Sequence, residues 1–276
     1  MCEFCHQHGE GKKWYLQAKN YSDDLLSDVH RRKFIEDFFS HPEEMANTVQ
    51  GFDRLAKAPR FIRSVMSRMI TRKMKKKHFG QVVPIEEIEE IFGFVNSIAR
   101  VACICRHTTL GKEKRYCYGI SMKMNDIVRG LDKSYLTGPD TVGLEELTKK
   151  EAVSAFHEHE KEGLCHTVWA FYTPFIGGIC NCDRKDCLAM RSTVTEGIPV
   201  MFRGEYVADV NPEECSGCRQ CMRICQFGAI TYGPSDKKVS IDKRWCYGCG
   251  VCRSACSKNA ISLADRSSIP VAAALW

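Results

Sequence analysis

Long apolar runs are absent from this sequence of 276 residues. No stretch approaches the roughly 18 to 20 consecutive apolar residues that span a bilayer. The opening letters, MCEFCHQHGEGKKWY, lack the apolar core of a signal peptide. We therefore expect a protein that is neither secreted nor membrane-spanning, with the cytoplasm as its compartment.

Acidic residues are missing from one segment. From Arg54 to Ile85 the chain carries ten Lys or Arg and no Asp or Glu, against a formal net charge of +6 for the whole sequence. Residues 60–77 have the apolar spacing of a basic amphipathic helix. Such a helix suits peripheral contact with a membrane, docking of an acidic redox partner protein, or packing with its basic side in solvent. Nucleic acid is not expected, because no helix-turn-helix pattern or aromatic series accompanies the charge.

Helix signals fill the rest of the N-terminal part. Ser22 is a candidate N-cap for a helix through Phe39, Pro42 a candidate first residue of a second helix, and Pro59 restarts the chain. Pro84 opens another helix pattern, PIEEIEEIFGFVNSIARVA, which runs into Cys103.

The second half mixes helix and strand signals. Thr148 and Glu151 form a capping box for a helix ending near Gly163, and 164–171 reads as a strand. Low-complexity linkers are absent. We predict an α+β protein with a helical basic N-terminal region (1–83), a cysteine-rich middle domain (84–205) and a C-terminal domain (206–276) of short strands and cysteine-rich turns.

Cysteine is the abundant residue, with seventeen in the chain. In a reducing compartment, clustered thiols more often bind metal or carry out redox chemistry than form disulfides. Two segments that begin 31 residues apart, CSGCRQCMRICQFGAI and CYGCGVCRSACSKNAI, each contain C-x2-C-x2-C-x3-C. This spacing gives three thiolates to one 4Fe-4S cluster and the fourth to the other cluster. The crossed assignment is Cys215, Cys218, Cys221 and Cys256 for one cluster, and Cys246, Cys249, Cys252 and Cys225 for the second.

The cassettes resemble bacterial-type ferredoxins with two 4Fe-4S clusters over roughly residues 206–264. A zinc ribbon is disfavoured, because each cassette has four cysteines and the whole pattern is duplicated. Gly217, Gly248 and Gly250 suit the positive φ angles of a loop around a cluster. The proline that usually follows the fourth cysteine is replaced by Gln226 and Ser257.

The middle of the chain has seven further cysteines. They include two C-x-C pairs, which predict a third metal site, either iron-sulfur or zinc, built from Cys103, Cys105, Cys180, Cys182 and Cys187. Cys117, Cys165 or a nearby histidine are candidate further ligands, and Arg106, His107, Arg184 and Lys185 are candidate charge partners. The alternative is a core of buried free thiols.

This region is similar to the part upstream of the ferredoxin repeat in larger ferredoxin-domain proteins of anaerobes. The shared strings are C-x-C-R at 103–106, G-L-x-H-T at 163–167 and C-N-C at 180–182. The resemblance implies a shared site and names no reaction.

Other cysteine and histidine motifs carry less information. Cys2, Cys5 and His6 match a haem c attachment string, but without export a metal ligand pair or a reduced pair is favoured. In HEHEK, Lys161 stands where a zincin has its second histidine, so we expect His157 and His159 on a solvated helix face.

These patterns predict an iron-sulfur protein of anaerobic metabolism that relays single electrons through two 4Fe-4S clusters to or from the middle site. One alternative is a reductase with its substrate at the middle cysteines. Another is a redox-sensing nucleic-acid-binding regulator, which would show salt-sensitive retention on DNA.

Overall fold

The computed structural model describes residues 13–111, 115–123 and 144–275. Within these ranges the chain is an α+β protein, as the sequence predicts. None of the helices in these ranges is long and apolar enough to cross a membrane.

Helices dominate the N-terminal part. Short 3-10 turns at Trp14–Leu16, Ala18–Tyr21 and Asp23–Ser27 come first. The α-helices that follow are α1 (Val29–Ser40), α2 (Pro42–Ala56) and α3 (Arg60–Lys77). Pro42 is the first residue of α2 and Pro59 the N-cap of α3, which confirms both proline predictions.

The helix expected from Ser22 is interrupted at Asp28. Ser22 does cap a helical turn, but that turn is 3-10 and ends at Ser27. Asp28 then caps α1, where its Oδ1 accepts hydrogen bonds from the N–H groups of His30 (2.9 Å) and Arg31 (3.1 Å). A second cap divides the segment, because an aspartate that bonds these N–H groups holds its own backbone out of the helix.

In the described ranges, a seven-stranded sheet forms the centre of the protein. Its strands are β1 (Gly80–Val82), β2 (Ser97–Val101), β3 (Cys117–Ser121), β4 (Glu145–Glu146), β5 (Cys165–Ala170), β6 (Ile176–Cys182) and β7 (Met201–Phe202). They lie in the order β4-β2-β3-β6-β5-β1-β7, and all neighbours are antiparallel except the parallel pair β1 and β7.

The long helix expected after Pro84 is only partly present. Helix α4 (Ile85–Phe94) begins as predicted but ends well before Cys103. Residues 97–101 form β2 instead, which pairs with β3 from Ser97–Ser121 to Val101–Cys117. Gly93 weakens the last turn of the helix, and the ladder to β3 then outweighs the local helix pattern.

Further helices flank the sheet. They are α5 (Ile104–Leu110), α6 (Lys149–Lys161) and α7 (Leu188–Met190), and a π-helical turn follows at Arg191–Thr195. The predicted capping box of Thr148 and Glu151 begins α6, and the predicted strand at 164–171 is β5.

The two faces of the sheet bury different side chains. Helices α4 and α6 cover one face, where Ile88, Ile91 and Phe156 pack on Val168 and Ile179. The other face lies under α1. Alternation along β5 and β6 directs Cys165, Trp169 and Cys182 to this second face, so the middle cysteines share one side of the sheet.

The C-terminal part consists of two hydrogen-bonded strand pairs and short helices. Strand β8 (Tyr206–Val210) pairs with β11 (Ile261–Asp265), and β9 (Ile230–Gly233) pairs with β10 (Lys238–Ile241). Between them lie α8 (Gln220–Ile224) and α9 (Val251–Ser254), and α10 (Pro270–Ala273) follows. Each cysteine cassette is thus a loop that enters a short helix.

The division at 83/84 and at 205/206 stays a prediction. Side chains pack closely across both positions. Trp14 and Tyr15 share a core with Ile88, and the hydroxyl of Tyr206 donates to Glu87 at 3.0 Å.

Candidate iron-sulfur sites

The first crossed set of cysteines surrounds one small cavity. Cys215, Cys218, Cys221 and Cys256 all line it. Cys221 lies in α8, whereas Cys256 follows α9 in the other cassette. Burial raises the pKa of Cys221 to about 11, and the thiols of the other three add to the shift. Thiols that oppose one another's ionisation in this way are suited to a shared cationic core.

The second crossed set is also brought together. Cys246 and Cys249 lie in the loop before α9, Cys252 lies in α9, and Cys225 follows α8. Burial raises the pKa of Cys252 well above its usual range, and the thiols of Cys249, Cys246 and Cys225 raise it further. The fold therefore groups the eight cysteines as the crossed assignment pairs them.

The cassette loops bring the backbone close to the sulfurs. Gly217, Gly248 and Gly250 have φ angles of 67°, 74° and 78°, as expected from the sequence. A Cβ atom on Gly248 would lie 2.2 Å from the carbonyl oxygen of Tyr206. The Ala208 N–H donates to Cys246 Sγ at 3.2 Å, and the Ala260 N–H donates to Cys256 Sγ at 3.3 Å. Such N–H groups stabilise thiolate charge, so the loops fit a bound cluster.

Gln226 links the ferredoxin-type domain to the middle of the chain. Its Nε2 donates to the carbonyl oxygen of Gly163 at 2.8 Å, and its Oε1 accepts from the N–H of Arg184 at 2.9 Å. Ser257 holds the equivalent position in the second cassette and is exposed. The side chain that replaces the usual proline therefore makes a contact that proline lacks.

Strand register aligns four of the middle cysteines. Cys117 on β3 is opposite Cys180 on β6, and Cys182 on β6 is opposite Cys165 on β5. Because residues two apart on a strand share a face, all four thiols lie on one side of the sheet. The Sγ atoms of Cys117 and Cys180 are 3.2 Å apart.

The remaining middle cysteines complete the group from the ends of two helices. Cys103 is the N-cap of α5, Cys105 lies in its first turn, and Cys187 is the N-cap of α7. The thiol of Cys103 contacts those of Cys105 and Cys117, and the thiol of Cys187 contacts those of Cys105 and Cys182. We call the six cysteines that share one cavity the middle thiol cluster: Cys103, Cys105, Cys117, Cys180, Cys182 and Cys187.

Arg106 is the charge partner of this cluster. Its Nη1 donates to Cys103 Sγ at 3.5 Å, its Nη2 pairs with Asp183, and its guanidinium lies 4.3 Å from the ring centre of Tyr116. The pKa of Cys103 is well below its usual range because hydrogen bonds from the Cys105 and Cys117 thiols, and then the charge of Arg106, stabilise its thiolate. Arg184 and Lys185, two other predicted partners, are exposed.

Cys165 joins the middle thiol cluster to the ferredoxin-type domain. It is fully buried, its thiol packs beside that of Cys249, and its Sγ donates to the carbonyl oxygen of His166 at 3.7 Å. It is also an electrostatic neighbour of Cys182 and Cys187. Cys165 therefore lies between the second crossed set and the middle thiol cluster.

The middle thiol cluster forms part of a cavity of about 480 Å³. The rest of the wall includes an aromatic part, whose members include Phe34, Phe38, Trp169 and Phe171. Trp169 Nε1 donates to Thr167 Oγ1 at 2.9 Å, and that oxygen lies 3.4 Å from Cys182 Sγ. The aromatic wall and the thiols are thus joined by two short contacts.

The histidines near this region have structural partners. His157 is half exposed and pairs with Glu89 at 2.9 Å, as its predicted solvated face requires. The same expectation for His159 is wrong: its side of α6 packs on β3, where it is buried and its Nε2 lies 2.8 Å from the hydroxyl of Tyr118. His166 is also buried, and burial lowers its pKa to about 4. None of these three histidines lines the cavity.

A single-ion site is not found in the ranges that the structure describes. There, no group of three or more His, Cys, Asp or Glu side chains is arranged to hold one metal ion. The two crossed sets also lack such an arrangement. This is expected for ligands of a cubane 4Fe-4S cluster, because each thiolate binds a different iron and the four thiolates lie far apart. The candidate ligands Cys2, Cys5 and His6 lie outside the described residues.

The comparison with protein families agrees with the cassette geometry. Residues 214–261 match the 4Fe-4S dicluster domain family. The C-terminal part of the chain is therefore a ferredoxin-type iron-sulfur domain.

Curated relatives match short stretches of the chain. The chain is similar to indolepyruvate oxidoreductase subunit IorA of Pyrococcus abyssi, with 36% identity over 50 residues, 18% of this chain and 8% of that protein. It is similar to the uncharacterized ferredoxin-like protein YdhY of Escherichia coli K12, with 38% identity over 53 residues, 18% of this chain and 24% of that protein. Archaeal-type glutamate synthase (NADPH) of Thermotoga sp. is 30% identical over 59 residues, 21% of this chain and 12% of that protein. The alignments cover less than a quarter of the length of each of these relatives.

Two contacts of the candidate site cannot be predicted from the sequence. The contact between Cys165 and Cys249 joins residues 84 positions apart that no shared motif connects. The replacement of the usual proline by Gln226 is apparent in the sequence. The hydrogen-bond partners of Gln226 are not, because they depend on how the two regions pack together.

Proposed function

We propose that this protein relays single electrons between a redox partner protein and a third metal site, through two 4Fe-4S clusters in its C-terminal domain. The contact of Cys165 with Cys249 carries this proposal, because it joins the two groups of thiols within one chain. Thiol-bound iron-sulfur clusters accept and donate one electron at a time. We assign this activity to the cytoplasm of an anaerobe.

The crossed cysteine sets are the proposed cluster ligands. Cys215, Cys218, Cys221 and Cys256 would hold one cluster, and Cys246, Cys249, Cys252 and Cys225 the other. The cavity lined by the first set and the mutual electrostatic contacts of the second support this assignment. The backbone N–H groups of Ala208 and Ala260 would stabilise the ligand charge.

The proposed route has an outer and an inner end. Cys218 of the first set is exposed, so its side of the domain is the proposed docking point for a redox partner. In the second set, Cys246 and Cys252 are buried and Cys249 contacts Cys165. Electrons would enter or leave at the exposed set and reach the protein interior through the buried one.

The middle thiol cluster is the proposed third site. Its thiols touch one another in sequence around a cavity, so several irons suit them better than one tetrahedral zinc ion. Cys103, Cys105, Cys180, Cys182 and Cys187 are the proposed ligands, with Cys117 beside them. Arg106 would balance part of the negative charge of the ligands.

Iron and acid-labile sulfide content tests the proposal. We expect about twelve irons per chain anaerobically, and about eight after Cys103→Ser combined with Cys180→Ser. Cys165→Ser is the matched control, because this buried thiol lies outside the proposed ligand sets, and its iron content should stay at the wild-type value. An iron content of about eight in the wild type that the double variant leaves unchanged would remove the third site.

A second candidate function is a reductase whose substrate binds beside the middle thiol cluster. The size and aromatic wall of the cavity favour it, since small-molecule sites are typically apolar cavities of roughly 300–1,000 Å³. An apolar aromatic acceptor such as menadione is a suitable probe. For a reductase, menadione should perturb the EPR signal that the Cys103→Ser, Cys180→Ser variant lacks, and Phe38→Ala should weaken this effect. An unperturbed signal would favour the electron carrier.

A further inference from the structure

Helix α3 packs against the protein through polar residues and leaves its apolar side exposed, which is the reverse of the usual arrangement of an amphipathic helix. Its protein-facing side is formed by Ser67, Thr71 and Met74, which are spaced one helical turn apart. Thr71 Oγ1 donates to the carbonyl oxygen of Pro199 at 3.0 Å, Ser67 Oγ donates to that of Gly197 at 3.4 Å, and Met74 lines the cavity. Along its middle, the helix therefore contacts the rest of the chain through two small polar residues.

The apolar side of α3 faces solvent. No residue of the helix is buried. At about 100° per residue, the apolar stripe projects opposite Ser67 and Thr71. The exposed fractions are 80% for Phe61, 49% for Ile62, 40% for Val65, 41% for Met66 and 59% for Met69. A contiguous apolar stripe of this kind on a surface marks an interaction site.

Cations continue the same exposed face. Arg72, Lys73 and Lys76 are exposed and follow the apolar stripe toward the end of the helix. The segment from Arg54 to Ile85 contains no acidic residue that would neutralise them. We call this combined surface of apolar and basic residues the α3 face. Because it is both apolar and cationic, it suits a boundary at which anionic groups meet hydrocarbon.

The far end of α3 is fixed to the body of the protein. The N–H groups of Tyr172 and Thr173 donate to the carbonyl oxygens of Lys77 (2.6 Å) and Lys76 (3.1 Å). Thr173 Oγ1 also donates to the carbonyl oxygen of Lys75 at 2.9 Å. A surface that binds the α3 face would therefore orient the whole protein and not only a tethered helix.

We infer that the α3 face binds the surface of an anionic lipid bilayer. An amphipathic helix with aromatic and aliphatic residues on one side and Lys or Arg beside them lies in the plane of the membrane interface. Anionic headgroups attract the cations, and the exposed apolar side chains enter the boundary of the acyl chains. An acidic protein would need a separate apolar groove to cover the five-residue apolar stripe, whereas the bilayer interface supplies anionic headgroups and hydrocarbon side by side. This inference rests on α3 alone and is independent of the metal sites.

Co-sedimentation of the holoprotein with phosphatidylglycerol vesicles tests the inference, with phosphatidylcholine vesicles as the uncharged comparison. We expect binding to phosphatidylglycerol that weakens with added salt, and much weaker binding to phosphatidylcholine. Phe61→Ser with Met69→Ser should lower the partition coefficient about tenfold or more, because two apolar side chains no longer enter the interface. Lys73→Glu with Lys76→Glu should lower it at least tenfold.

Matched control variants distinguish a loss of the α3 face from the general effect of removing an apolar side chain or reversing a charge. Val271→Ser removes an exposed apolar side chain elsewhere, and Lys33→Glu with Lys150→Glu reverses two exposed charges on other helices. These controls should bind as the wild type does, and unchanged iron content and circular dichroism show that each variant is folded. The inference is overturned if the wild type does not sediment with phosphatidylglycerol vesicles, even if it is retained by an acidic protein. It is also overturned if the α3 variants bind as tightly as the controls.

Discussion

At the scale of single residues, Gly248 decides whether its cassette loop can form, and Gly197, which lies outside the cassettes, is a matched control. Gly248 and Gly197 both have φ near +70°, but they differ in what surrounds them. A Cβ on Gly248 would meet the backbone of Tyr206, whereas a Cβ on Gly197 would meet nothing within 4 Å. The pair therefore separates the cost of the backbone conformation from the cost of a steric clash.

Gly248→Ala should reduce the iron content of the purified protein, because the loop must move away from β8 and take its sulfurs with it. Gly197→Ala should cost only the left-handed conformation, about 1 kcal/mol of stability, and should keep its iron. Iron analysis and anaerobic urea unfolding measure the two effects. Equal iron contents in the two variants would show that the close approach to Tyr206 does not matter.

His78 gives the protein a pH-dependent stability. It donates from Nδ1 to the carbonyl oxygen of Ala170 at 2.8 Å and packs against Phe38, Trp169 and Phe171. Burial lowers its pKa from 6.5 to about 4. Below pH 6.5 the unfolded chain binds a proton that the folded chain does not, so stability should fall as the pH drops from 6.5 toward 4.

His78→Phe removes this proton uptake. Between pH 7 and pH 5 the wild type should lose on the order of 1 kcal/mol more stability than the variant. Anaerobic urea titrations of both proteins at the two pH values measure the difference. Parallel losses in the two proteins would mean that His78 is not protonated on unfolding.

At the scale of the elements, α6 holds one face of the sheet and depends on its capping box. Thr148 Oγ1 accepts from the N–H of Glu151, and the Glu151 carboxylate accepts from the N–H of Thr148 at 2.8 Å. Thr148→Ala should lower the free energy of unfolding by about 1 kcal/mol. Ser154→Ala, an exposed position in the middle of the same helix, should leave it unchanged or slightly higher. Urea unfolding distinguishes the two, and a Thr148→Ala protein as stable as Ser154→Ala would contradict the prediction.

Elements whose ends are fixed by local chemistry could be predicted from the sequence. Proline at Pro42 and Pro59 and the capping box at Thr148 each act within one turn, so their effect is readable from neighbouring residues. Strand β2 could not be predicted, because it depends on pairing with β3 about twenty residues later. The solvent exposure of the apolar side of α3 could not be predicted either. An apolar stripe indicates a helix but does not show which part of the protein, if any, covers it.

At the scale of the whole molecule, the grouping of the eight cassette cysteines follows from their spacing, while the link to the middle thiol cluster does not. Spacing within a loop limits which thiols can meet. The positions of Cys165 and Gln226 depend instead on how two separately patterned regions pack together. The sequence therefore predicts what each region contains but not the path between them.

The contact of Cys165 with Cys249 should tune one cluster and not the other. If Cys249 is a ligand, the neighbouring Cys165 thiol stabilises its negative charge and favours the more negative, reduced cluster. Cys165→Ala should then lower the reduction potential of one cluster by on the order of 50 mV. Cys165→Ser retains a donor and should shift the potential less. EPR-monitored redox titration measures this, and wild-type potentials for both clusters in Cys165→Ala would refute the contact's role.

The crossed pairing of the cassettes also has a consequence for biosynthesis. On that assignment, the first cluster waits for Cys256 and the second needs Cys225 together with all three cysteines at 246–252. When only the first cassette has left the ribosome, the nascent chain presents four cassette thiols but not the complete ligand set of either cluster. Both clusters therefore become assemblable almost together, the second once Cys252 has been made and the first once Cys256 has followed, and a fragment that lacks either cassette should hold neither.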